Sequence, residues 1–315
     1  MKALVTGGAG FIGSHIVEEL IEKKWEVKVL DNLSAGKEDN LAKCRKVINL
    51  IKGSITDREL LGKVLKDIDI VFHEAAQTSV VHSINNPAYT WEINITGTKL
   101  LLNAAVSAGV KRVIFASSAA VYGNALPPLR ESKTTKPISP YGNSKRMGEL
   151  LMQEYYEKEG VETASLRYFN VYGPRQNAAS EYSGVISKFI NKMLNDERPV
   201  IYGNGLQTRD FVFVKDVVRA NICAAKARKT RGEVYNIGTG RENSVLDLVR
   251  TLNKILGKEL EVVFEKERAG DIMESFADLS LAKEKLGFVA ETTLRNGLEE
   301  TVRWYKNNTN QILPG

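Results

Sequence analysis

The chain opens with Met1-Lys2-Ala3-Leu4-Val5-Thr6-Gly7-Gly8-Ala9-Gly10-Phe11-Ile12-Gly13-Ser14-His15-Ile16. Residues 2–5 form a short apolar run that suits a buried strand, and apolar residues recur at helical spacing after the glycines. In such a strand, turn and helix, Gly7 permits the tight turn, Gly10 lets the backbone approach a pyrophosphate, and Gly13 lets the helix pack on the strand. The N–H groups at the helix start would face the phosphates. The stretch therefore predicts a dinucleotide site.

A second strand is predicted at residues 25–30, and Asp31 follows it, about twenty residues past the glycines. An acidic side chain there accepts hydrogen bonds from the adenosine ribose hydroxyls and repels a 2′-phosphate, so NAD is favoured over NADP. A glycine pattern alone also fits a strand-helix turn without a ligand. The position of Asp31 favours the dinucleotide.

Length and composition bound the class of protein. The chain has 315 residues, of which 43% are hydrophobic and 26% charged, and this suits a globular protein with a sizeable core. Two distant cysteines, Cys44 and Cys223, predict neither a disulfide framework nor a metal site. With no apolar leader and no apolar run near the length of a membrane span, the sequence predicts a cytoplasmic protein. The net charge of +6 comes from interleaved charges, which disfavours nucleic-acid binding but suits an anionic substrate.

Strands alternate with helices in the first half of the chain. This order predicts an α/β fold, a doubly wound parallel sheet of the Rossmann type, with ligands at the carboxyl ends of the strands. Further strands are predicted at 47–51, 68–73, 110–118 and 162–168, with helices at 58–65, 88–108 and 139–159. We expect a dinucleotide-binding domain at 1–171, with return segments near 210–240.

The pattern loosens beyond residue 171. Short strands are predicted at 200–202, 211–214, 234–237 and 260–264, and helices near 184–195, 217–227, 244–256 and 294–306. These predict a smaller α+β substrate domain, residues 172–315, that covers the cleft.

Tyr141 and Lys145 begin the helix predicted at 139–159. Four residues apart, they lie on one helical face, where the ammonium favours the phenolate and lowers the tyrosine pKa so that it can act as a general base. Ser117 and Ser118 close the preceding strand, and a serine hydroxyl can relay a proton because it donates and accepts. The alternatives are a surface tyrosine and lysine at chance spacing, and serines that only cap a turn.

Five motifs follow one another along the chain: Gly7 to Gly13, Asp31 to Ser34, Ser117 to Gly123, Tyr141 to Lys145, and Arg167 to Pro174. Together they resemble the extended short-chain dehydrogenase/reductases that act on nucleotide sugars, and among these the UDP-hexose 4-epimerases. The resemblance implies a retained NAD, a catalytic tyrosine and lysine, and a second domain that holds the nucleoside diphosphate. It also implies a homodimer formed through the helices predicted at 88–108 and 139–159.

The resemblance implies catalytic and binding roles for the residues of this chain that stand at the matching positions. Ser118, Tyr141 and Lys145 would be catalytic, with Lys145 also on the nicotinamide ribose. The cofactor would contact Gly7, Gly10, Phe11, Ile12, Gly13, Asp31, Asn32, Ser34, Gly36, Ser54, Ile55, Ala75, Ala76, Gln77, Asn94, Tyr141, Lys145 and Tyr168. The substrate would contact Ser79, Val80, Ser118, Tyr141, Asn170, Val185, Val200, Tyr202, Arg209, Arg268, Asp271 and Ser275. Ser54 stands where the family usually has an Asp on the adenine, so a weaker, uncharged contact is expected.

Two positions discriminate among members of the resembled family. Nucleotide-sugar 4,6-dehydratases carry an Asp-Glu pair, and UDP-glucuronate decarboxylases a Glu, where this chain has Ala119 and Ala120. An alanine transfers no proton, so chemistry beyond one carbon is disfavoured. Ser275 stands where a bulky tyrosine restricts epimerases to plain hexoses, and its small volume predicts room for a 2-N-acetyl group. The alternatives are another NAD-dependent nucleotide-sugar enzyme, either a lyase or a net oxidoreductase, and a non-catalytic NAD-sensing protein.

Overall fold

The strands and helices follow the chain in the order expected of a doubly wound fold. A computed structural model describes residues 1–177, 184–267 and 272–308. The strands are β1 (Lys2–Thr6), β2 (Glu26–Asp31), β3 (Asn49–Lys52), β4 (Ile70–His73), β5 (Arg112–Ser118), β6 (Glu162–Tyr168), β7 (Asn170–Tyr172), β8 (Val200–Tyr202), β9 (Thr208–Arg209), β10 (Phe211–Phe213), β11 (Glu233–Ile237), β12 (Asn243–Ser244) and β13 (Val263–Glu265). The α-helices are α1 (Phe11–Glu22), α2 (Arg58–Val64), α3 (Val80–Asn85), α4 (Pro87–Trp91), α5 (Thr98–Ala108), α6 (Pro140–Glu159), α7 (Val185–Leu194), α8 (Val214–Lys226), α9 (Val245–Leu256), α10 (Ser280–Leu286) and α11 (Leu294–Asn307).

A seven-stranded parallel sheet forms the centre of the larger lobe. Its order is β11-β6-β5-β4-β1-β2-β3, so the direction of winding reverses between β1 and β4. One apolar core packs α1 and α8 against one face, and a second core packs α2, α5 and α6 against the other. The predicted doubly wound α/β fold is confirmed. Ligands of such sheets bind at the carboxyl ends of the strands, beside the point of reversal.

A smaller lobe covers the carboxyl edge of the sheet. Its core joins α7, α9 and α11 to two short strand pairs, β7 with β10 and β8 with β13. Phe11 and Ile12, from the start of α1, pack against this core. β11 lies in the central sheet, and α8 and α10 pack beside it. The α1 N-terminus therefore borders both lobes.

The helix predicted at 88–108 differs in detail. It is divided into α4, a π-helical segment at Glu92–Gly97, and α5. A π segment inserts one extra residue per turn and often marks a functional position. Here it carries the buried Asn94 and Gly97.

Other boundaries shift by a few residues. The strand predicted at 47–51 is Asn49–Lys52, because Val47 still belongs to the preceding turn, where its N–H donates to the Cys44 carbonyl at 3.0 Å. The strand predicted at 260–264 is reduced to Val263–Glu265, and α8 begins at 214 rather than 217. Two short helices, α3 and α10, were not predicted.

No helix among the described residues is long and apolar enough to span a bilayer. The same residues contain no cluster of three or more His, Cys, Asp or Glu side chains arranged to hold a metal ion.

Candidate active site

The glycine turn between β1 and α1 is a cradle without side chains. Gly7 has φ +69°, and a Cβ there would lie 2.7 Å from the backbone nitrogen of Ala75. A Cβ on Gly13 would lie 2.3 Å from the carbonyl oxygen of Gly7. The helix that follows has no side-chain cap and no acidic residue in its first turn, so its first N–H groups are left for a ligand. This geometry fits a pyrophosphate.

The residues predicted for the adenosine half lie at the carboxyl ends of β1, β2 and β3. Asp31 accepts hydrogen bonds from the N–H of Ala9 (2.9 Å) and the N–H of Leu33 (2.7 Å), which ties its loop to the glycine turn. Asn32 Oδ1 accepts from the Ser34 hydroxyl at 2.8 Å. An ionised carboxylate has further lone pairs, so Asp31 can still accept from ribose hydroxyls. Gly36 packs against Ala9, and Ser54 hydrogen-bonds Thr56 at 2.8 Å.

Asn94, inside the π segment, connects the loop after β4 to α6. Its Oδ1 accepts from the Gln77 N–H at 2.8 Å, and its Nδ2 donates to the Gln77 carbonyl at 2.9 Å and to Ser144 Oγ at 2.9 Å. Ala75 and Ala76 lie in the loop that Asn94 holds. Buried Ile55 fits against Gly97 of the same segment.

Tyr141, Lys145 and Ser118 meet at the carboxyl end of β5. Ser139 caps α6 by accepting from the Gly142 N–H at 3.0 Å, so Tyr141 lies in the first turn. Lys145 Nζ donates to the Ala116 carbonyl at 2.7 Å and lies 5.9 Å from the centre of the Tyr141 ring. The Ser118 hydroxyl hydrogen-bonds the Tyr141 phenol. The fold thus brings the predicted catalytic residues together.

One expectation about these groups was wrong. Burial raises the pKa of Tyr141, and the Ser118 hydrogen bond offsets this only in part. Lys145 Nζ donates to the Ala116 carbonyl and lies 5.9 Å from the centre of the Tyr141 ring, and its charge does not outweigh the effect of burial on the pKa of the phenol. Burial also lowers the pKa of Lys145 to about 8, against the opposing charges of Glu74 and Glu149. The unliganded protein therefore holds Tyr141 as a phenol at neutral pH.

Glu74, which the sequence analysis did not single out, lies beside this pair. Its Oε1 is 2.8 Å from the hydroxyl of Tyr168, and burial raises its pKa to about 7. Tyr168, predicted on the cofactor, has its ring in the core and its hydroxyl on Glu74. One feature of the sequence could have identified Glu74. It is an acidic residue directly after the buried strand β4, at the carboxyl edge of the sheet where ligands bind.

The residues predicted for the substrate lie mostly on the smaller lobe and its border. Tyr202 lines a cavity of about 170 Å³ with Gln207 and Met273, among others. Arg209 does not line this cavity; its Nη1 donates to the carbonyls of Thr208 (2.8 Å) and Ile272 (2.5 Å). A groove of about 480 Å³ between α2 and α5 contains none of the predicted site residues.

The remaining predicted substrate residues are dispersed. Asn170 Nδ2 donates to the Asp210 carbonyl at 3.4 Å, Ser79 caps α3, and Val80 begins that helix. Val185 begins α7, Val200 begins β8, and Ser275 is buried. Arg268 and Asp271 lie outside the described residues.

A doubly wound sheet with a glycine-rich phosphate turn, and with a Tyr-x-x-x-Lys pair beside a serine, defines the extended short-chain dehydrogenases/reductases. The chain belongs to the NAD-dependent epimerase/dehydratase family, whose profile matches residues 3–238. NAD is accordingly its cofactor.

Three relatives are similar over almost the whole chain. A Methanocaldococcus jannaschii protein named "Putative UDP-glucose 4-epimerase" is 43% identical over 97% of this chain and 98% of its own length. A Thermotoga maritima UDP-glucose 4-epimerase, crystallised with UDP-glucose, is 41% identical with a TM-score of 0.93 over 98% of this chain and 100% of that one. A UDP-N-acetylglucosamine 4-epimerase from Methanobrevibacter ruminantium M1, in complex with UDP-N-acetylmuramic acid, is 41% identical with a TM-score of 0.93 over 97% and 98%.

Proposed function

We propose that this chain is a UDP-sugar 4-epimerase. It would interconvert the gluco and galacto forms of UDP-N-acetylhexosamines and of UDP-hexoses. The observation that carries the proposal is the partly buried Tyr141 hydroxyl, hydrogen-bonded to Ser118 with the Lys145 ammonium alongside. Ser118 is the last residue of β5, and only Ala119 and Ala120 come directly after it. A single acid-base group suits a reaction that oxidises the sugar at C4 and then reduces the resulting ketone at the same carbon. The names of the three relatives described above support the same reaction, although other relatives are a decarboxylase and a dehydratase.

Tyr141, Ser118 and Lys145 each have a separate role in the proposed reaction. The glycine turn at 7–13, Asp31 and Lys145 would hold NAD, which would supply the hydride acceptor for C4 and a positive charge that favours the Tyr141 phenolate. Tyr141 takes the proton from the sugar O4 and later gives it back. The Ser118 hydroxyl donates to Tyr141 Oη and accepts from the sugar hydroxyl, so it orients O4. Lys145, held by the Ala116 carbonyl, places its ammonium beside the phenol and the cofactor ribose.

The ketone formed at C4 must rotate before the hydride returns to its other face. The smaller lobe supports this, because Tyr202 and Arg209 would hold the nucleotide and diphosphate while the sugar moves. Ser275 is buried, and its side chain occupies much less volume than a tyrosine ring would at this position. Firm nucleotide binding with a roomy sugar pocket is the arrangement that rotation requires.

The family name also covers dehydratases. A dehydratase or decarboxylase must move protons at neighbouring carbons, and neither Ala119 nor Ala120 can do so. A net oxidoreductase would release NADH, and a non-catalytic NAD sensor has no need for the buried Tyr141–Lys145 pair. These observations favour the epimerase.

The test is incubation of the protein and NAD with UDP-glucose or UDP-N-acetylglucosamine, with chromatography of the products and absorbance of NADH. We expect the C4 epimer without lasting NADH, and loss of at least about a hundredfold in kcat for Tyr141→Phe. Tyr156→Phe, the same change further along α6, is the matched control and should retain activity. Accumulating NADH, or a dehydrated or shortened sugar, would contradict the proposal.

We also propose a homodimer. Exposed apolar side chains on α3, α4 and α6 include Ile84, Trp91, Met147 and Leu150, and both α3 and α4 pack on α6. An apolar face of this kind on adjacent helices favours association with a second copy.

A further inference from the structure

Glu74 is a partly buried acid that the reaction described above leaves without a role. Its N–H donates to the Thr6 carbonyl at 3.1 Å, which fixes it beside the glycine turn. Its carboxylate reaches the Tyr168 hydroxyl at 2.8 Å. Because β5 lies between β4 and β6 in the sheet, this hydrogen bond spans the end of the strand that carries Ser118. The carboxyl group therefore lies at the floor of the catalytic cleft.

The hydrogen bonds behind Glu74 have a defined direction. Asn221 Nδ2 is 3.0 Å from the Val217 carbonyl, which can only accept, so the amide nitrogen must face it. The same nitrogen is 2.8 Å from Tyr168 Oη, which therefore accepts from Asn221 and donates its own proton to Glu74. Asn221 Oδ1 is buried and has no hydrogen-bond partner among the described residues. The chain of bonds thus favours the ionised form of Glu74.

The charged groups that face this cluster come from α6. β4 pairs with β5 through His73 and Phe115, so Glu74 lies level with Ala116, whose carbonyl accepts from Lys145 Nζ at 2.7 Å. The nearby ammonium opposes the rise in the pKa of Glu74 that burial causes. The charge of Glu74 in turn raises the pKa of Tyr141. Glu149 faces Lys145 as well, but it is already bound by Arg167 at 2.7 Å and by Arg146 at 3.0 Å.

The other neighbours of Glu74 are uncharged. His73, the preceding residue, is held between Thr6 and Thr98, and burial lowers its pKa to about 3. Glu74 itself has no ion-pair partner within hydrogen-bonding distance in the described part of the chain.

We propose that Glu74 is a positioning residue for the epimerase reaction: its carboxylate, oriented by Tyr168 and Asn221, is the charge partner that keeps the Lys145 ammonium protonated beside Tyr141. The inference rests on the proposed function. Burial raises the pKa of Glu74 to about 7, so its charge is present above that pH and is lost as the pH falls through 7. Burial lowers the pKa of Lys145 to about 8, so the ammonium is lost as the pH rises through 8. Both charges coexist between about pH 7 and pH 8.

The first experiment compares the pH profiles of kcat/KM for the wild type and Glu74→Gln, a variant that still accepts from Tyr168. We expect the alkaline limb to move down by about one pH unit, which is about a tenfold loss at pH 9 with little change at pH 6.5. Tyr168→Phe, which removes the donated hydrogen bond, should move the limb in the same direction by less. Glu131→Gln removes another partly buried carboxyl group, outside the cleft, and should leave the profile unchanged.

An unchanged alkaline limb in Glu74→Gln would overturn the proposal. An equal loss at every pH, accompanied by lower stability, would do the same, because it would indicate a structural role only.

A second experiment needs no catalysis. The unfolding of Glu74→Gln, Lys145→Met and the double variant forms a cycle that measures the coupling of the two side chains. We expect the unfolding equilibrium constants to depart from additivity by about tenfold at pH 7.5, and to be additive at pH 5.5, where Glu74 is protonated. Additivity at both pH values contradicts the inference. If the wild type is coupled in this way but forms no C4 epimer, the proposed function fails and the charge pairing stands.

Discussion

Ser275 is the residue whose volume should decide the sugar. It is buried between the smaller lobe and the loop at Leu129, where the Leu129 N–H donates to the Phe276 carbonyl at 2.9 Å. A buried tyrosine ring here would fill space that a 2-N-acetyl group needs. We expect Ser275→Tyr to lower kcat/KM for UDP-N-acetylglucosamine by at least about tenfold while UDP-glucose is still converted, since steric exclusion costs one or more kcal/mol. Ser275→Ala is the control, and equal losses for both sugars would contradict the assignment.

Glu149 is the residue on which the buried charge of Arg167 depends. Its carboxylate accepts from Arg167 Nε (2.7 Å), from Arg167 Nη2 (2.8 Å) and from Ser117 Oγ (2.6 Å), and its side chain is 0% exposed. Removal of one partner leaves a buried charge without compensation, so Glu149→Gln should lower the free energy of unfolding by about 3 to 5 kcal/mol. Glu154→Gln, on the same helix, breaks only an exposed pair with Lys158 and should leave the free energy of unfolding nearly unchanged. Urea unfolding of both variants measures their free energies of unfolding. A similar loss of stability in the two variants would contradict this prediction.

At the scale of elements, the seating of α6 on β5 sets the distance between the catalytic side chains. A Cβ on Gly148 would lie 2.3 Å from the ring of Phe115, over which Lys145 Nζ lies at 5.0 Å. Gly148→Ala should therefore displace the helix, cost about 1 to 3 kcal/mol of stability and lower kcat. Gly62→Ala is the matched control, because a Cβ at this position in α2 meets no atom within 4 Å and alanine favours a helix. The test is to measure the thermal unfolding and the kcat of both variants. An unchanged kcat in Gly148→Ala would contradict the prediction that the seating of α6 positions the side chains.

The π segment shows where pattern alone falls short at this scale. The apolar spacing of residues 88–108 predicts a continuous helix, and the chain is indeed helical throughout. The register changes at Glu92–Gly97 because Asn94 must turn inward to bind the backbone of Gln77. Gln77 lies 17 residues before Asn94, in the loop after β4, so the apolar spacing of the helix does not indicate this contact.

At the scale of the whole molecule, the unpaired apolar face of α3, α4 and α6 should determine the oligomeric state. Met147 and Leu150 are 43% and 40% exposed, and a charge there would be buried on association. We expect the combined variant Met147→Glu and Leu150→Glu to sediment as a monomer with unchanged circular dichroism, whereas the wild type sediments as a dimer. Val289→Glu, a change at an exposed apolar residue away from this face, should leave the dimer intact. A wild type that is already a monomer would contradict the expectation.

Much of this molecule follows from local pattern. The glycine turn, the acid after β2, the alternation of strands with helices and the Tyr-x-x-x-Lys spacing all depend on residues a few positions apart, whose steric and hydrogen-bonding needs are met within one turn or one strand. For this reason the doubly wound fold, and the residues that meet at Tyr141, could be predicted. The start of β13 could not, because it depends on where its neighbour β8 begins, at Val200.

The charges of the catalytic cleft depend on distant parts of the chain. Glu74, Tyr168 and Asn221 come from three elements and meet only because the sheet order places β4 and β6 on either side of β5. Burial, which no local pattern specifies, raises the pKa of Tyr141 although Lys145 is only four residues away. Residue identity and spacing were enough to propose the reacting groups. Their protonation states required the folded chain, because desolvation and long-range Coulomb interactions arise only when remote segments enclose the same atoms.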